Sequence, residues 1–155
     1  MYCAAKEEIA ASQEPDRPVR VLIADDNRAV RAALSAVVDG TAGFELAAVA
    51  TSAAEAIELS SRLAPDVVLM DMRMDGMSGI EATRKIVGAR PETFVVLMSA
   101  SPPPDFASAA DGCGAAGFIN KRAVRAVTLT EMWRRRVSPS PSQRDLSIRD
   151  HTRRE

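Results

Sequence analysis

Several apolar runs in this sequence end at residues that could carry chemistry. Asp25 and Asp26 come directly after the first run, and Asp71 follows the third. Ser99 closes the fourth run, and Lys121 follows the fifth. Three carboxylates held close together repel one another, which raises some of their pKa values unless a cation lies among them. Because such a ligand set contains only oxygen, it favours Mg²⁺.

A carboxylate in this setting could act as a nucleophile toward a phosphoryl group. Asp71 would attack the phosphorus, and the metal ion would screen the charge of the incoming group. Lys121 and Ser99 would bind the other phosphoryl oxygens as a cation and a hydroxyl donor. Phosphoryl transfer needs little beyond positioning and charge neutralisation, and aspartyl phosphates are a recognised product of carboxylate nucleophiles.

The apolar runs themselves predict strands. They are nearly continuous in Val, Leu, Ile and Phe, as expected for strands covered on both faces. Their positions are 19–24, 44–50, 66–70, 93–100 and 116–120.

Helical patterns separate the predicted strands. Two begin with capping boxes, in which Ser52 precedes Glu55 and Ser78 precedes Glu81 by three residues. The helices are expected within 27–39, 52–63, 78–87 and 124–137, with a weaker fourth helix within 105–112. Alternating strands and helices predict an α/β fold with a parallel sheet and helices on both faces. In such a sheet the functional crevice lies at the carboxyl ends of the strands.

The composition fits one soluble domain. The chain has 155 residues, 46% of them apolar, and a net charge of -1, so it has no overall attraction to nucleic acid or membranes. The distant Cys3 and Cys113 suggest neither a disulfide framework nor a zinc site. Without a secretory signal or a membrane-length apolar run, we expect a cytoplasmic protein. We predict a flexible leader (1–18), a folded domain (19–137) and a disordered basic tail (138–155).

Four motifs in order carry a resemblance to a known family. They are DD after the first strand, DMRMDGMSG after the third, LMSAS in the fourth and GAAGFINK at the fifth. Ser99 follows Asp71 by 28 residues, and Lys121 follows Ser99 by 22. Over residues 19–137 the chain resembles the receiver domain of bacterial two-component response regulators. The resemblance implies a flavodoxin-like, doubly wound sheet of five parallel strands in the order 2-1-3-4-5.

The resemblance also implies a role for each acidic residue. Asp71 would be the phosphoacceptor. Asp26 would bind Mg²⁺ directly and Asp25 mainly through water, with the Arg73 backbone carbonyl as a further ligand. The resemblance implies no enzyme with a separate substrate. It implies a phosphoacceptor that catalyses its own phosphorylation and dephosphorylates slowly.

Other positions would bind and sense the phosphoryl group. Ser99 and Lys121 would hold its oxygens, and the small Ala100 leaves room for it. By the resemblance, Ser99 would move inward on phosphorylation, and Phe118 would then change rotamer. This switch would alter the surface of the fourth helix, fifth strand and fifth helix. Because Phe118 lacks a hydroxyl, any signal from its position would be steric.

The resemblance implies a sensor histidine kinase as donor and an unidentified downstream protein as target, and it leaves homodimer formation open. With 34 residues after Lys121, we expect a stand-alone receiver or a fragment of a longer DNA-binding regulator. Residues 122–155 carry nine Arg and four acids, but we interpret this charge as a solvated helix end and tail rather than a nucleic-acid site.

Two rival functions use the same residues. A magnesium-dependent phosphohydrolase would commonly need a second acid two residues after its nucleophile, where this chain has Arg73. A pseudo-receiver would bind partners without phosphorylation, against which the complete residue set argues. Arg73 and Ser101 are also unsuited to orienting a hydrolytic water, so we expect a long-lived phosphoryl group.

Each residue has a simpler reading when taken singly. Asp71 could cap a helix or face solvent. Asp25 and Asp26 could cap the first helix, as could Asn27. Ser99 could be a buried hydroxyl satisfied by the backbone. Lys121 could be an ordinary surface lysine, and Phe118 could be a core residue.

Overall fold

Five parallel strands form the centre of the computed structural model, which describes residues 17–101 and 112–137. Their order in the sheet is β2-β1-β3-β4-β5, and every neighbouring pair is parallel. The predicted doubly wound order is therefore confirmed. The strands are β1 (Val19–Ala24), β2 (Phe44–Ala50), β3 (Val67–Asp71), β4 (Phe94–Ser99) and β5 (Gly117–Asn120).

Helices cover both faces of this sheet, as predicted. They are α1 (Arg28–Asp39), α2 (Ala53–Leu63), α3 (Gly79–Ala89) and a C-terminal helix (Ala126–Val137), which follows a 3-10 turn at Lys121–Ala123. On one face, apolar side chains of α2 and α3 pack against alternate strand residues such as Leu22 and Val68. On the other face, α1 and the C-terminal helix pack against residues such as Ile23 and Leu69.

The central strands are the most buried elements. All residues of β3 are buried, as are all residues of β4 after Phe94. Strands covered on both faces need apolar residues at successive positions, which explains their continuous rather than alternating pattern. This burial leaves the strand ends as the places where polar groups can stand.

Side chains of three residues fix the helix starts. Ser52 and Ser78 cap α2 and α3, accepting hydrogen bonds from the Glu55 and Glu81 backbone N–H groups. Asn27 caps α1 by accepting from the N–H groups of Ala29 and Val30. Each cap stabilises its helix by about 1 kcal/mol.

Some predicted segments lie outside the described residues. These are the leader up to residue 16, the fourth helix except for Gly112, and the tail at 138–155. Their structure and the proposed domain limits stay predictions. Of the helices that are described, none combines the length and apolar character needed to cross a membrane.

Candidate functional site

The residues singled out in the sequence meet at one edge of the sheet. Asp25 directly follows β1, Asp71 ends β3, Ser99 ends β4 and Lys121 directly follows β5. These four strands are consecutive neighbours in the sheet. Because parallel strands share a carboxyl edge, residues far apart in sequence become neighbours there.

Three carboxylates form the centre of this edge. One oxygen from each of Asp25, Asp26 and Asp71 lies within 4.8 Å of the others. Asp25 has no exposed surface and Asp71 has 3%, whereas Asp26 is exposed. The cluster therefore combines two desolvated acids with one that faces solvent.

The two carboxylate oxygens of Asp25 have different partners. Oδ1 accepts a hydrogen bond from the Asn27 backbone N–H at 2.8 Å. Oδ2 is buried and accepts no hydrogen bond of good geometry from any described residue, although Lys121 Nζ lies 2.8 Å away. We interpret the lysine contact as ionic. A buried oxygen in this state is suited to a cation, because such groups otherwise cost free energy.

Asp71 is held between a backbone donor and the same lysine. Its Oδ1 accepts from the Arg73 N–H at 3.2 Å, and its Oδ2 lies 3.1 Å from Lys121 Nζ. Burial raises the pKa of Asp71 above its ordinary value, and the neighbouring Asp25 adds to this effect. The Arg73 N–H and Lys121 oppose the rise without cancelling it.

Lys121 bridges the two buried acids. Burial lowers its pKa, but the close contacts with the Asp25 and Asp71 carboxylates outweigh burial, so the pKa lies above its ordinary value. Lys121 is therefore a permanent cation at the carboxyl edge, with 16% of its side chain exposed. It is not an ordinary surface lysine.

The other predicted site residues flank this centre. The Ser99 hydroxyl is buried and accepts a hydrogen bond from the Ser101 N–H at 3.2 Å, while Ala100 is exposed. Arg73 is exposed beside Asp71. Phe118 is half-buried against the core between the sheet and α2 and α3, opposite Leu97 in the β4–β5 register.

The structure decides between some of the simpler readings. Asn27 rather than Asp25 or Asp26 caps α1, and Ser78 rather than Asp71 caps α3. The three acids therefore do not serve as helix caps.

Sequence reasoning missed two residues that support the site. The Arg31 guanidinium donates to the Asp25 backbone carbonyl at 2.8 Å, and Gly79 lies so close to Asp71 that an added Cβ would be 2.0 Å from the Asp71 carbonyl oxygen. Glycine directly after a helix cap was a visible signal for a close approach. No sequence signal distinguished Arg31 from the other arginines.

The chain is similar to known bacterial proteins over most of its length. It is 34% identical over 130 residues to response regulator GacA of Pseudomonas viridiflava, covering 81% of this chain and 61% of that protein. It is 31% identical over 105 residues to response regulator UvrY of Escherichia coli, covering 68% of this chain and 48% of that protein. The chain therefore spans about half to three fifths of the length of these relatives.

Solved structures show the same similarity. The response regulator domain of Thermotoga maritima CheB has a TM-score of 0.70 at 30% identity, covering 78% of this chain and 97% of that one. The receiver domain of the putative regulator NarL from Mycobacterium tuberculosis has a TM-score of 0.69 at 30% identity, covering 76% and 98%. The sequence model described as the response regulator receiver domain matches residues 21–133. This chain belongs to the response regulator receiver domain family.

Proposed function

We propose that the chain accepts a phosphoryl group on Asp71 from a sensor histidine kinase. The observation that best supports this is the position of the Asp71 carboxylate, 3.1 Å from Lys121 and within the three-acid cluster. An Asp71 oxygen would form a bond to phosphorus as the bond from phosphorus to the donor histidine breaks. The released imidazole then takes up a proton from solution.

Mg²⁺ fits the donor set of this site. The carboxylates of Asp25, Asp26 and Asp71 and the backbone carbonyl of Arg73 would hold it. The buried Asp25 Oδ2, which accepts no hydrogen bond from the described residues and lies against the Lys121 cation, supports this assignment. Hard oxygen ligands of this kind are those that Mg²⁺ prefers. When bound, the ion neutralises negative charge between the acids and an approaching phosphoryl group.

The remaining residues would bind the product. Lys121 supplies a fixed positive charge, and its proximity to both acids keeps it where phosphoryl oxygens would lie. The Ser99 hydroxyl accepts from the Ser101 N–H, and its own O–H would donate to a phosphoryl oxygen. The small side chain of Ala100 leaves space beside it.

Phosphorylation would be read out at the side of the sheet that contains β5. A shift of Ser99 would change the space next to Phe118 and alter its packing. We propose that this changes the surface of the predicted fourth helix, β5 and the C-terminal helix. A downstream protein or a second copy of the chain would bind there. The relatives are longer than this chain. We therefore keep two alternatives within this proposal: a stand-alone receiver, and a receiver that acts through a DNA-binding output domain.

The rival functions have less support. A phosphohydrolase would commonly use an acid at the position of Arg73, whose side chain is exposed and cationic. A pseudo-receiver would not need a buried carboxylate that is paired with a lysine and lies within 4.8 Å of two further acids.

Intact-protein mass after incubation with acetyl phosphate tests the proposal. We expect one phosphoryl adduct that requires Mg²⁺ and disappears in Asp71→Asn. Asp75→Asn is the matched control, because Asp75 is an exposed acid in the loop after β3 and should keep the adduct. A Mg²⁺-dependent adduct that persists in Asp71→Asn would contradict the assignment, as would the absence of any adduct with acetyl phosphate and a histidine-phosphorylated kinase domain alike.

A further inference from the structure

Arg31 connects helix α1 to the loop that contains the first two acids. Its Nη1 donates to the Asp25 backbone carbonyl at 2.8 Å, and its own backbone N–H donates to the Asn27 carbonyl at 3.0 Å. Side chain and main chain of one residue therefore hold two points of the same loop. The side chain is half-buried, so water weakens the contact less than it would at the surface.

The other polar groups of Asp25 are also fixed. Its N–H donates to the Ala50 carbonyl at 3.2 Å, and its Oδ1 accepts from the Asn27 N–H at 2.8 Å. With Arg31 on the carbonyl, Oδ2 is the one polar atom of Asp25 without a hydrogen bond among the described residues. The loop thus holds every other polar atom of Asp25 in a hydrogen bond and leaves this oxygen beside Lys121 Nζ, 2.8 Å away.

The start of α2 adds a further constraint on Arg31. Glu55 accepts hydrogen bonds from the Thr51 N–H and hydroxyl, both at 2.8 Å. These bonds lower the pKa of Glu55 against a small opposing effect of burial, and the charge of Arg31 lowers it further. Glu55 is therefore a negative charge within electrostatic range of Arg31, without an ion pair between the two among the described residues.

We propose that Arg31 is a positioning residue that holds the Asp25–Asp26 loop in the geometry that binds a divalent cation. The inference rests on the proposed function, because it assigns Mg²⁺ to the acid cluster. Contacts behind metal ligands commonly change metal affinity by about 10–100-fold. A hydrogen bond from a charged donor is also stronger than one between neutral groups.

Two possible roles of Arg31, as a nearby positive charge or as a positioning residue, predict opposite changes in cation affinity when Arg31 is substituted. Removing a positive charge near an acid cluster should strengthen cation binding if electrostatics dominates. Losing the hydrogen bond to Asp25 should weaken binding if positioning dominates. Arg28 provides a matched control, since it lies on the same helix and its exposed side chain makes no hydrogen bond or ion pair within the described ranges.

Isothermal titration of the full chain with Mg²⁺ tests this inference. We expect Arg31→Gln to raise the dissociation constant about tenfold. Arg31→Met, which keeps the aliphatic stem, should behave alike. Arg31→Lys retains the charge and a donor, so it should recover part of the lost affinity. Arg28→Gln should bind as tightly as the wild type or slightly more tightly. Circular dichroism checks that each variant is folded.

The outcomes separate this inference from the proposal on which it rests. If folded Arg31→Gln or Arg31→Met binds Mg²⁺ as tightly as wild type, Arg31 does not position the loop, and the phosphoacceptor proposal is unaffected. A loss that Arg31→Lys does not reduce would assign the effect to general loss of structure and overturn the inference. If wild type shows no Mg²⁺ binding that depends on Asp71, both proposals fail.

Discussion

Asp71 keeps a carboxylate in a place where burial disfavours its charge. Its pKa lies above the ordinary value of 3.8, mainly because of burial. The folded chain therefore binds this proton more tightly than the unfolded chain does. As the pH rises past 3.8, ionised Asp71 lowers the free energy of unfolding. The acid that we propose as phosphoacceptor thus has a stability cost at neutral pH.

Asp71→Asn should accordingly stabilise the metal-free protein. We expect a higher free energy of unfolding at pH 7, measured by urea unfolding, with a gain that shrinks as the pH falls toward 3.8. Added Mg²⁺ should stabilise the wild type more than the variant, because it binds the folded state of the wild type more tightly. Asp75→Asn should change little. Equal or lower stability of Asp71→Asn would contradict this prediction.

The side chain of Arg73 leads to a prediction about how fast the phosphoryl group is lost. Arg73 stands two residues after the proposed phosphoacceptor and has an exposed side chain, and a guanidinium cannot accept a proton from water. We therefore expect slow loss of the phosphoryl group. In Arg73→Asn, whose amide could orient a water, the loss should be several-fold faster when intact mass is followed over time. An unchanged rate in the variant, or rapid loss from the wild type, would count against it.

Helix α3 and strand β3 approach each other so closely that one position admits glycine alone. A Cβ at Gly79 would lie 2.0 Å from the Asp71 carbonyl oxygen, a backbone atom that cannot rotate away as a flexible side chain could. The Gly79 N–H also donates to the Met72 carbonyl at 3.1 Å. This contact holds the start of α3 against the end of β3 that carries Asp71.

Gly79→Ala should therefore move α3 away from the site. We expect a loss of about 1–3 kcal/mol, as for overpacked cores, and weaker phosphorylation by acetyl phosphate. Gly88→Ala is the control in the same helix, because a Cβ there meets nothing within 4 Å. Its higher helix propensity should stabilise the protein by about 0.5–1 kcal/mol. The same response to both substitutions in urea unfolding would refute the close-approach argument.

The element boundaries followed from the sequence more closely than the contacts of the site did. The predicted strands and the caps of Ser52 and Ser78 are confirmed because local pattern and capping chemistry determine them. The bridge from Lys121 to Asp25 and Asp71 depends on strand order. The family resemblance predicts that these three residues lie near one another, but it does not predict the distances between their atoms.

Interactions that depend wholly on tertiary packing could not be predicted. Arg17, assigned to the leader, donates twice to Asp66 across 49 residues of sequence. Arg136, at the end of the C-terminal helix, lies over the Trp133 ring, 4.8 Å from its centroid, and over Phe94. Sequence spacing did not mark either arginine. The folded sheet alone brings Asp66 near Arg17 and Phe94 near Arg136, whereas Trp133 lies three residues before Arg136 on the same helix.

For the molecule as a whole, the amino edge of the sheet determines part of the response to acid. Asp66 accepts hydrogen bonds from Arg17 and from the Arg20 N–H. Burial raises its pKa, but these donors outweigh burial, so the pKa lies below the ordinary 3.8. The stabilisation is therefore full above that value and is lost as the pH falls through the lower, folded value.

Asp66→Asn should lower the urea midpoint slightly at neutral pH. The effect should be small, because 60% of the Arg17 side chain is exposed and surface ion pairs contribute little. The difference from wild type should vanish below the folded pKa of Asp66, where the wild-type carboxyl is also neutral. Glu58→Gln, which removes an exposed pair with Arg62, serves as control. If the difference in urea midpoint between wild type and Asp66→Asn grew as the pH fell, the pKa of Asp66 would be shifted in the opposite direction, which would contradict the prediction.

The identity of the phosphorylated atom tests the central claim most directly. Borohydride reduces an acyl phosphate to an alcohol, which converts a phosphorylated aspartate into homoserine. We would treat the chain with acetyl phosphate and Mg²⁺, reduce it, and sequence its peptides by tandem mass spectrometry. The account predicts homoserine at position 71 and unmodified Asp25, Asp26 and Asp75. Homoserine at any of those three positions, or phosphate stable to borohydride on a serine such as Ser99, would contradict it.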